Sequence, residues 1–289
     1  VPGKLPGLKS GQQAVRSVLG QQHQDWILTV VDDGYPEPGI ADWFAGLGDD
    51  RVRYSRNEEN LGANGNYRKA LGMATQDHVV VMGADDVMLP TYLGTVVAAL
   101  EAHPDAAFVQ PGVEVIDEHG VPASGLVDRA KRVYAPAVAG RRVMRGEELA
   151  RSLLRANWLY FPSICWRRET VVRIGFRQGL DVVQDLALAL DVVRDGGSLV
   201  LDGTVCFRYR RHRSSDSSWR ALEGSRFTEE RAFFLGTAQD MARLGWDGAA
   251  RAARVHAASR LNAATLLPRA VRARRWAGVR TLARHAFVP

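Results

Sequence analysis

A chain of 289 residues, 46% hydrophobic and 24% charged, has the length and composition for a large α/β domain or a domain with an appendage. No run approaches the roughly eighteen apolar residues of a membrane helix, and the first residues lack a signal peptide's charged and apolar regions, so a soluble, cytoplasmic protein is expected. The formal net charge of +6 rests almost wholly on Arg, since Lys occurs only at positions 4, 9, 69 and 131; such an excess could attract a nucleotide phosphate, an anionic membrane or nucleic acid.

Residues 1–7 have loop chemistry with no strand before them. Because the next segments look like the second and later pieces of an α/β fold, most of the first strand is expected to precede Val1. A helix over 12–20 follows, with Ala14, Val15, Val18 and Leu19 on one face. Residues 25–31 form a strand that ends in Asp32-Asp33-Gly34. A helix over about 40–47, a short strand over 51–55, a polar loop over 57–62 and a helix over about 65–74 lead to the apolar run 79–82, which ends in Gly83-Ala84-Asp85-Asp86.

This alternation predicts a parallel, wound sheet whose ligands sit beyond the carboxyl ends of its strands. The pairs Asp32-Asp33 and Asp85-Asp86 both lie at such ends. Two carboxylates at one strand end are costly unless a cation or hydrogen-bond donors meet them. The plainer alternative has Asp85 capping a turn and Asp86 starting a helix.

Further on come a helix over 92–102, strand character over 106–110 and 112–116, and a weakly periodic stretch over 121–142 read as a long loop shaping a substrate mouth. A helix over 147–155, an aromatic segment over 157–162, a strand over 163–166 and a helix over 168–174 follow. Asp185 opens a helix carrying Leu186, Leu188, Leu190, Val192 and Val193, stopped by Gly196-Gly197. A strand over 198–209 runs into Arg210-Arg211-His212-Arg213. From Phe227 the chain is helical and rich in Ala and Arg. We therefore divide it into a domain over 1–218 and a C-terminal helical extension over 219–289. Cys165 and Cys206 stand apart from any CxxC pattern and read as buried free thiols.

In order along the chain, Ser17-Val18-Leu19-Gly20-Gln21-Gln22, Val30-Val31-Asp32-Asp33-Gly34, Asn60-Leu61-Gly62, Gly83-Ala84-Asp85-Asp86, Gln184-Asp185 and Tyr209-Arg210-Arg211-His212 resemble family-2 glycosyltransferases of the GT-A fold. The resemblance covers roughly residues 1–218. It implies a Rossmann-like, mostly parallel sheet flanked by helices, a nucleotide-diphosphate sugar donor, most often a UDP-sugar, a divalent cation (Mn²⁺ or Mg²⁺) and inversion at the anomeric carbon.

By position, the resemblance puts Pro2 and Gly3 beside the nucleoside and has Asp33 accept a hydrogen bond from the base. Asp85 then faces the ribose or metal shell, Asp86 binds the metal, His212 joins the metal or diphosphate, and Asp185 is the catalytic base. Arg210, Arg211 and Arg213 could close over the phosphates. The ordinary alternatives are a turn for Asp33, a helix N-terminus for Asp185 and a surface loop for His212. The chain departs from the pattern in three places. Gly83 stands where many relatives have an acid, which throws metal binding onto Asp86 and His212. Asn66-Tyr67-Arg68 replaces Ala-Arg-Asn, leaving Arg68 as the helix's candidate for the donor phosphates, and Gln184 replaces the acid before the base.

A sugar-nucleotide nucleotidyltransferase and a non-catalytic nucleotide-sugar-binding protein of the same fold are the competing readings. Nucleic acid is not an expected partner, because the basic residues are dispersed and no recognition motif accompanies them. The acceptor stays open between a glycan, a lipid-linked molecule and a small natural-product precursor. Trp158, Tyr160, Phe161 and Trp166 could stack on it or belong to the core. Trp276 with Arg272, Arg274, Arg275 and Arg280 could place the last helix on an anionic membrane, or that helix could pack on the core or form a homodimer surface.

Overall fold

The structure is a computed structural model that describes residues 8–123, 125–212 and 225–288. Pro2, Gly3, Arg213 and the expected boundary at 218/219 lie outside the described residues.

The first half alternates as expected. Helix α1 (Leu8–Leu19) buries Ala14, Val15 and Val18. Strand β1 (Leu28–Asp32) runs parallel to β2 (Val52–Arg56), with α2 (Ile40–Ala45) between them and α3 (Gly62–Gly72) after. Buried Gln21 explains the motif that follows α1. Its Nε2 donates to the Ser17 and Leu89 carbonyls and its Oε1 accepts from the Leu93 N–H, so one amide ties α1 to the turn after the Asp pair.

Strands β3 (His78–Val80), β4 (Val87–Met88) and β5 (Ala106–Ile116) follow, with α4 (Tyr92–Ala102) between β4 and β5. The stretch expected as a loop carries α5 (Leu126–Tyr134) and β6 (Arg141–Arg145). The buried anchor of α5 is Asp128, while Val133 is 80% exposed, so the helix turns a polar group inward. Its apolar residues Leu126, Val127, Ala130, Val133 and Tyr134 do recur at helical spacing, but over only nine residues, a short signal within the weakly periodic stretch 121–142. Next come α6 (Gly146–Arg155), β7 (Cys165–Arg167), α7 (Arg168–Ile174), α8 (Gln184–Arg194) and β8 (Ser198–Arg210). Four helices close the described chain: α9 (Ser225–Arg243), α10 (Asp247–Val255), α11 (Ala257–Arg272) and α12 (Trp276–Phe287).

The larger sheet has the order β3-β7-β5-β8-β4, with β6 also paired to β8. Strands β5 and β8 are parallel, and β7 lies antiparallel between β3 and β5. Hence β3, β5 and β8 run in one sense and bring their carboxyl ends to one side, while β4 and β6 pair antiparallel to β8. The wound α/β architecture is present in this mixed form, with β1–β2 as a separate two-stranded sheet among the described residues.

One face of the sheet packs on a core of Phe108, Trp166, Leu149, Leu153 and the apolar side of α8, which also takes in Phe233, Phe234 and Met241 of α9 and Ala249 of α10. The first two helices of the extension therefore share the main core. Truncating a leucine there would cost about 2–5 kcal/mol. The other face packs on Val18, Tyr92, Val96 and Phe207. A third, small core of Phe227, Ala263, Ala270 and Leu282 holds α11 and α12. Trp158, Phe161 and Trp166 are core residues rather than an open stacking platform. Cys165 and Cys206 are buried free thiols, each pushed by burial to about 12. Among the described residues no helix is long and apolar enough to cross a membrane.

Candidate active site

The turn after β3 carries Gly83-Ala84-Asp85-Asp86, and β8 delivers Tyr209-Arg210-Arg211-His212 beside it. Pairing of Val87 with Arg208 sets this register. Asp86 is 1% exposed, and its Oδ1 accepts a 2.9 Å hydrogen bond from the Arg210 backbone N–H. Burial, and then the neighbouring Asp85 charge, push the Asp86 carboxyl up to about 7. A buried carboxylate held this way lacks full charge compensation.

The rest of Arg210 is a clamp. Its Nε donates to the Asp85 carbonyl (2.8 Å), one Nη to the Asp117 carbonyl (3.1 Å) and the other to Gln13 Oε1 (2.8 Å). Fully engaged and buried, Arg210 fixes the strand ends together. Arg211 pairs with buried Asp128 at 2.8 Å. His212 Nε2 lies 2.6 Å from Asp85 Oδ2, so the histidine of the run is joined directly to the first acid of the pair.

Gly83 now has a physical role. A methyl group placed there would meet Asp86 Oδ2 at 2.6 Å and Asp85 Oδ1 at 3.1 Å, so one oxygen of each acid faces the space left by the absent side chain. Among the described residues no three His, Cys, Asp or Glu side chains gather in metal-holding geometry. Two carboxylates and an imidazole are nevertheless, by their chemistry, a donor set that could hold a divalent cation.

Helix α3 bridges to the other acid pair. Asn66 Nδ2 donates to the Val31 carbonyl, and Asn57 Nδ2 donates to both Asn66 Oδ1 and Asp33 Oδ1. Asp33 Oδ1 also accepts from the Leu61 N–H (2.7 Å), and its backbone carbonyl from Asn60 Nδ2 (2.6 Å). The Asn60-Leu61-Gly62 motif is thus the loop that Asp33 organises, opening α3 at Gly62 with φ +70°, a conformation glycine adopts without strain. Asp32 is structural: buried, it accepts from the Tyr35 N–H and the Tyr54 hydroxyl and pairs with Arg56. Arg68 is exposed on α3. The next residue inward is Tyr67, raised to about 12 by burial first and then by the charges of Asp86 and Asp185 among others.

Tyr209 feels the same acids. Both phenols therefore lie within electrostatic reach of Asp85, Asp86 and Asp185, which places the three carboxylates in one neighbourhood. Asp185 is half-buried at the first turn of α8. Its Oδ1 accepts from the Leu186 N–H (2.7 Å) and its Oδ2 from Asn157 Nδ2 (3.3 Å). Beside it Lys131 lies over the Tyr160 ring at 4.4 Å and donates to the Leu159 carbonyl. Burial lowers this ammonium to about 8, with Asp185 acting in the opposite direction. Buried Gln184 leaves its Oε1 without a partner among the described residues.

The segment before α8 is held from far along the chain. Glu229 of α9 accepts hydrogen bonds from the Asp181, Val182 and Val183 N–H groups at 2.7–3.1 Å through Oε1. Tyr67 could have been found from helical spacing inward of Asn66, and Asn157 from its place at the head of the aromatic segment. Glu229 gives no local signal.

Residues 12–161 match the family described as glycosyl transferase family 2. The chain is 26% identical over 113 residues to an uncharacterized glycosyltransferase of Methanocaldococcus jannaschii and 27% identical over 110 residues to an uncharacterized protein of Sinorhizobium fredii. These matches take 38% and 37% of this chain and span 38% and 12% of those proteins. In structure it is similar to S. aureus TarS 1-349 in complex with UDP-GlcNAc, with TM-score 0.62, 13% identity, and coverage of 80% of this chain and 64% of that one. It is also similar to GalNAc-T7 with UDP, GalNAc and Mn2+, with TM-score 0.54, 15% identity, and coverage of 73% and 42%. At such identities the likeness is one of fold.

Proposed function

This chain belongs to glycosyl transferase family 2 and has the GT-A fold; from that premise we propose that it transfers a sugar from a nucleotide-diphosphate donor, a UDP-sugar, to a hydroxyl or amine of an acceptor, with inversion at the anomeric carbon. The observation that carries this reading is the gathering of Asp85 and Asp86 in the turn after β3, joined to His212, with Asp185 at the start of α8 and Tyr67 and Tyr209 within electrostatic reach of all three acids.

Asp86, Asp85 and His212 would hold the divalent cation, Mn²⁺ or Mg²⁺. Bound there, it supplies charge neutralisation to the departing diphosphate. The solved neighbours that contain UDP-GlcNAc, or UDP with Mn2+, support this assignment of donor and cation by analogy. Asp33 serves the nucleoside base, and Arg68 is the outward cation of α3 available to the donor.

Asp185 acts as general base. Its carboxylate is pinned by Leu186 and Asn157, which orients it to take the acceptor's proton. Displacement then proceeds with the nucleophile on the side opposite the leaving diphosphate. The test combines a nucleotide-release assay across UDP-sugars in the presence of Mn²⁺ with the variant Asp185→Asn. We expect turnover to fall ~10²–10⁴-fold while donor affinity by calorimetry stays within a few-fold. A fully active variant removes Asp185 as base. Formation of pyrophosphate from a nucleoside triphosphate and a sugar phosphate, without nucleotide release from any UDP-sugar, overturns the reading as a whole.

A further inference from the structure

Charge is segregated along this chain to a degree that the proposed site does not use. Nine of its 38 Lys and Arg residues lie in residues 248–289, with none of its 32 Asp and Glu. The preceding 247 residues hold 29 basic residues against those 32 acids, so the chain's net positive charge arises wholly from the last helices.

Those helices also show aromatic and aliphatic surface. On α12, Trp276, Arg280, Arg284 and Phe287 are spaced four, four and three residues apart, which puts them on one helical face. All four are exposed, Trp276 by 60% and Phe287 by 68%. The other side of α12 buries Gly278, Leu282, His285 and Ala286 against the hairpin core. At 1.5 Å per residue the two aromatic rings stand about 16 Å apart along the axis. Every residue from 271 to 277, the tip joining α11 to α12, is exposed, including Val271. Among the described residues neither Arg280 nor Arg284 forms an ion pair.

We propose that the α11–α12 hairpin docks on an anionic lipid bilayer, α12 lying in the plane of the headgroups. Trp276 and Phe287 enter the boundary of the acyl region, as aromatic side chains do at such an interface. Arg280 and Arg284 donate to lipid phosphates between them, and Val271 and Arg272 at the tip extend the contact. A second copy of the same face is a poor occupant, because two faces without a single acid repel each other. The net negative charge of the remaining chain turns the rest of the molecule away from the same surface, so one orientation on the membrane is selected.

The test is co-sedimentation of the full chain with vesicles of phosphatidylcholine alone and with roughly 30% phosphatidylglycerol, at low and high salt, since polybasic docking is screened. Binding is expected with the anionic vesicles only, weakening as salt rises. Each arginine near such a surface accounts for about a fivefold change in affinity. The Arg280→Gln/Arg284→Gln pair should therefore bind about 25-fold more weakly, whereas Arg280→Lys/Arg284→Lys keeps near-native binding. Trp276→Ser/Phe287→Ser should also weaken binding while leaving its salt dependence in place. Thermal midpoints identify any variant that fails to fold, and the lysine pair then carries the test. Equal binding to uncharged vesicles, no binding to anionic ones, or unaltered binding by a folded glutamine pair overturns the proposal. So does a response of these variants confined to a polynucleotide, which would assign the face to nucleic acid instead.

Discussion

At Gly83 a single absent methyl group separates two carboxylates from a collision. A Cβ there would approach Asp86 Oδ2 to 2.6 Å, well inside van der Waals contact, so the Asp86 carboxylate has to rotate. Gly83→Ala should turn that oxygen away from Asp85 and lower Mn²⁺-dependent UDP affinity about tenfold or more, equivalent to at least ~1.4 kcal/mol, with little change in thermal midpoint. Titration calorimetry on the folded variant measures it, and native affinity would show that the two acids need not converge for donor binding. The same residue scale separates Asp33 from Asp32. Asp32 spends both oxygens on Tyr35, Tyr54 and Arg56. The hydrogen bonds Asp33 accepts through its side chain from described residues land on Oδ1 alone.

Among elements, α8 owes its position to α9. Three backbone N–H groups ahead of Asp185 have no helical partner, as at any helix start, and Glu229 accepts from all three. Glu229→Ala should loosen residues 181–183 and, through them, Asp185. The expected result is a fall in kcat of at least about tenfold, equivalent to about 1.4 kcal/mol in the barrier, with KM for the donor little changed. Glu229→Gln, which keeps an acceptor oxygen, should recover part of the loss. A kcat of Glu229→Ala equal to that of the unsubstituted chain would mean that α8 holds its own end. Helix α5 illustrates the opposite dependence. Its buried anchor is the Asp128–Arg211 ion pair, so what holds it in place is a polar contact with the residue following β8, while Val133 on its apolar side stays exposed.

On the scale of the whole molecule, the extension is two things. Helices α9 and α10 are part of the main core, whereas α11 and α12 close over a small one. Inside that hairpin His285 is buried, with Nε2 2.7 Å from Ser259 Oγ, and burial lowers it to about 4 against an ordinary value near 6.5. The unfolded chain thus binds more protons between those values, so this residue's contribution is present above pH 6.5 and lost as pH falls toward 4. Urea unfolding of the native chain should show stability declining over that window by up to about 3 kcal/mol from this residue. His285→Gln should flatten the decline. An unchanged slope would place the pH dependence elsewhere.

The residues of the proposed site were each marked by a local pattern. Asp33, Asp85, Asp86, Asp185 and His212 could be picked out because each sits at a strand end, a helix start or in a charged run, and these are local patterns of neighbouring residues. The buried thiols, the α/β alternation and the helical end of the chain were legible for the same reason. Tertiary structure alone decided which of these residues meet. It joined His212 to Asp85 across 127 positions, turned Tyr67 rather than Arg68 inward, paired Asp128 of α5 with Arg211, interleaved β7 antiparallel between β3 and β5, and drew Glu229 onto the start of α8. Such pairings depend on how distant segments pack and satisfy one another's polar groups, and no periodicity within a single segment encodes them.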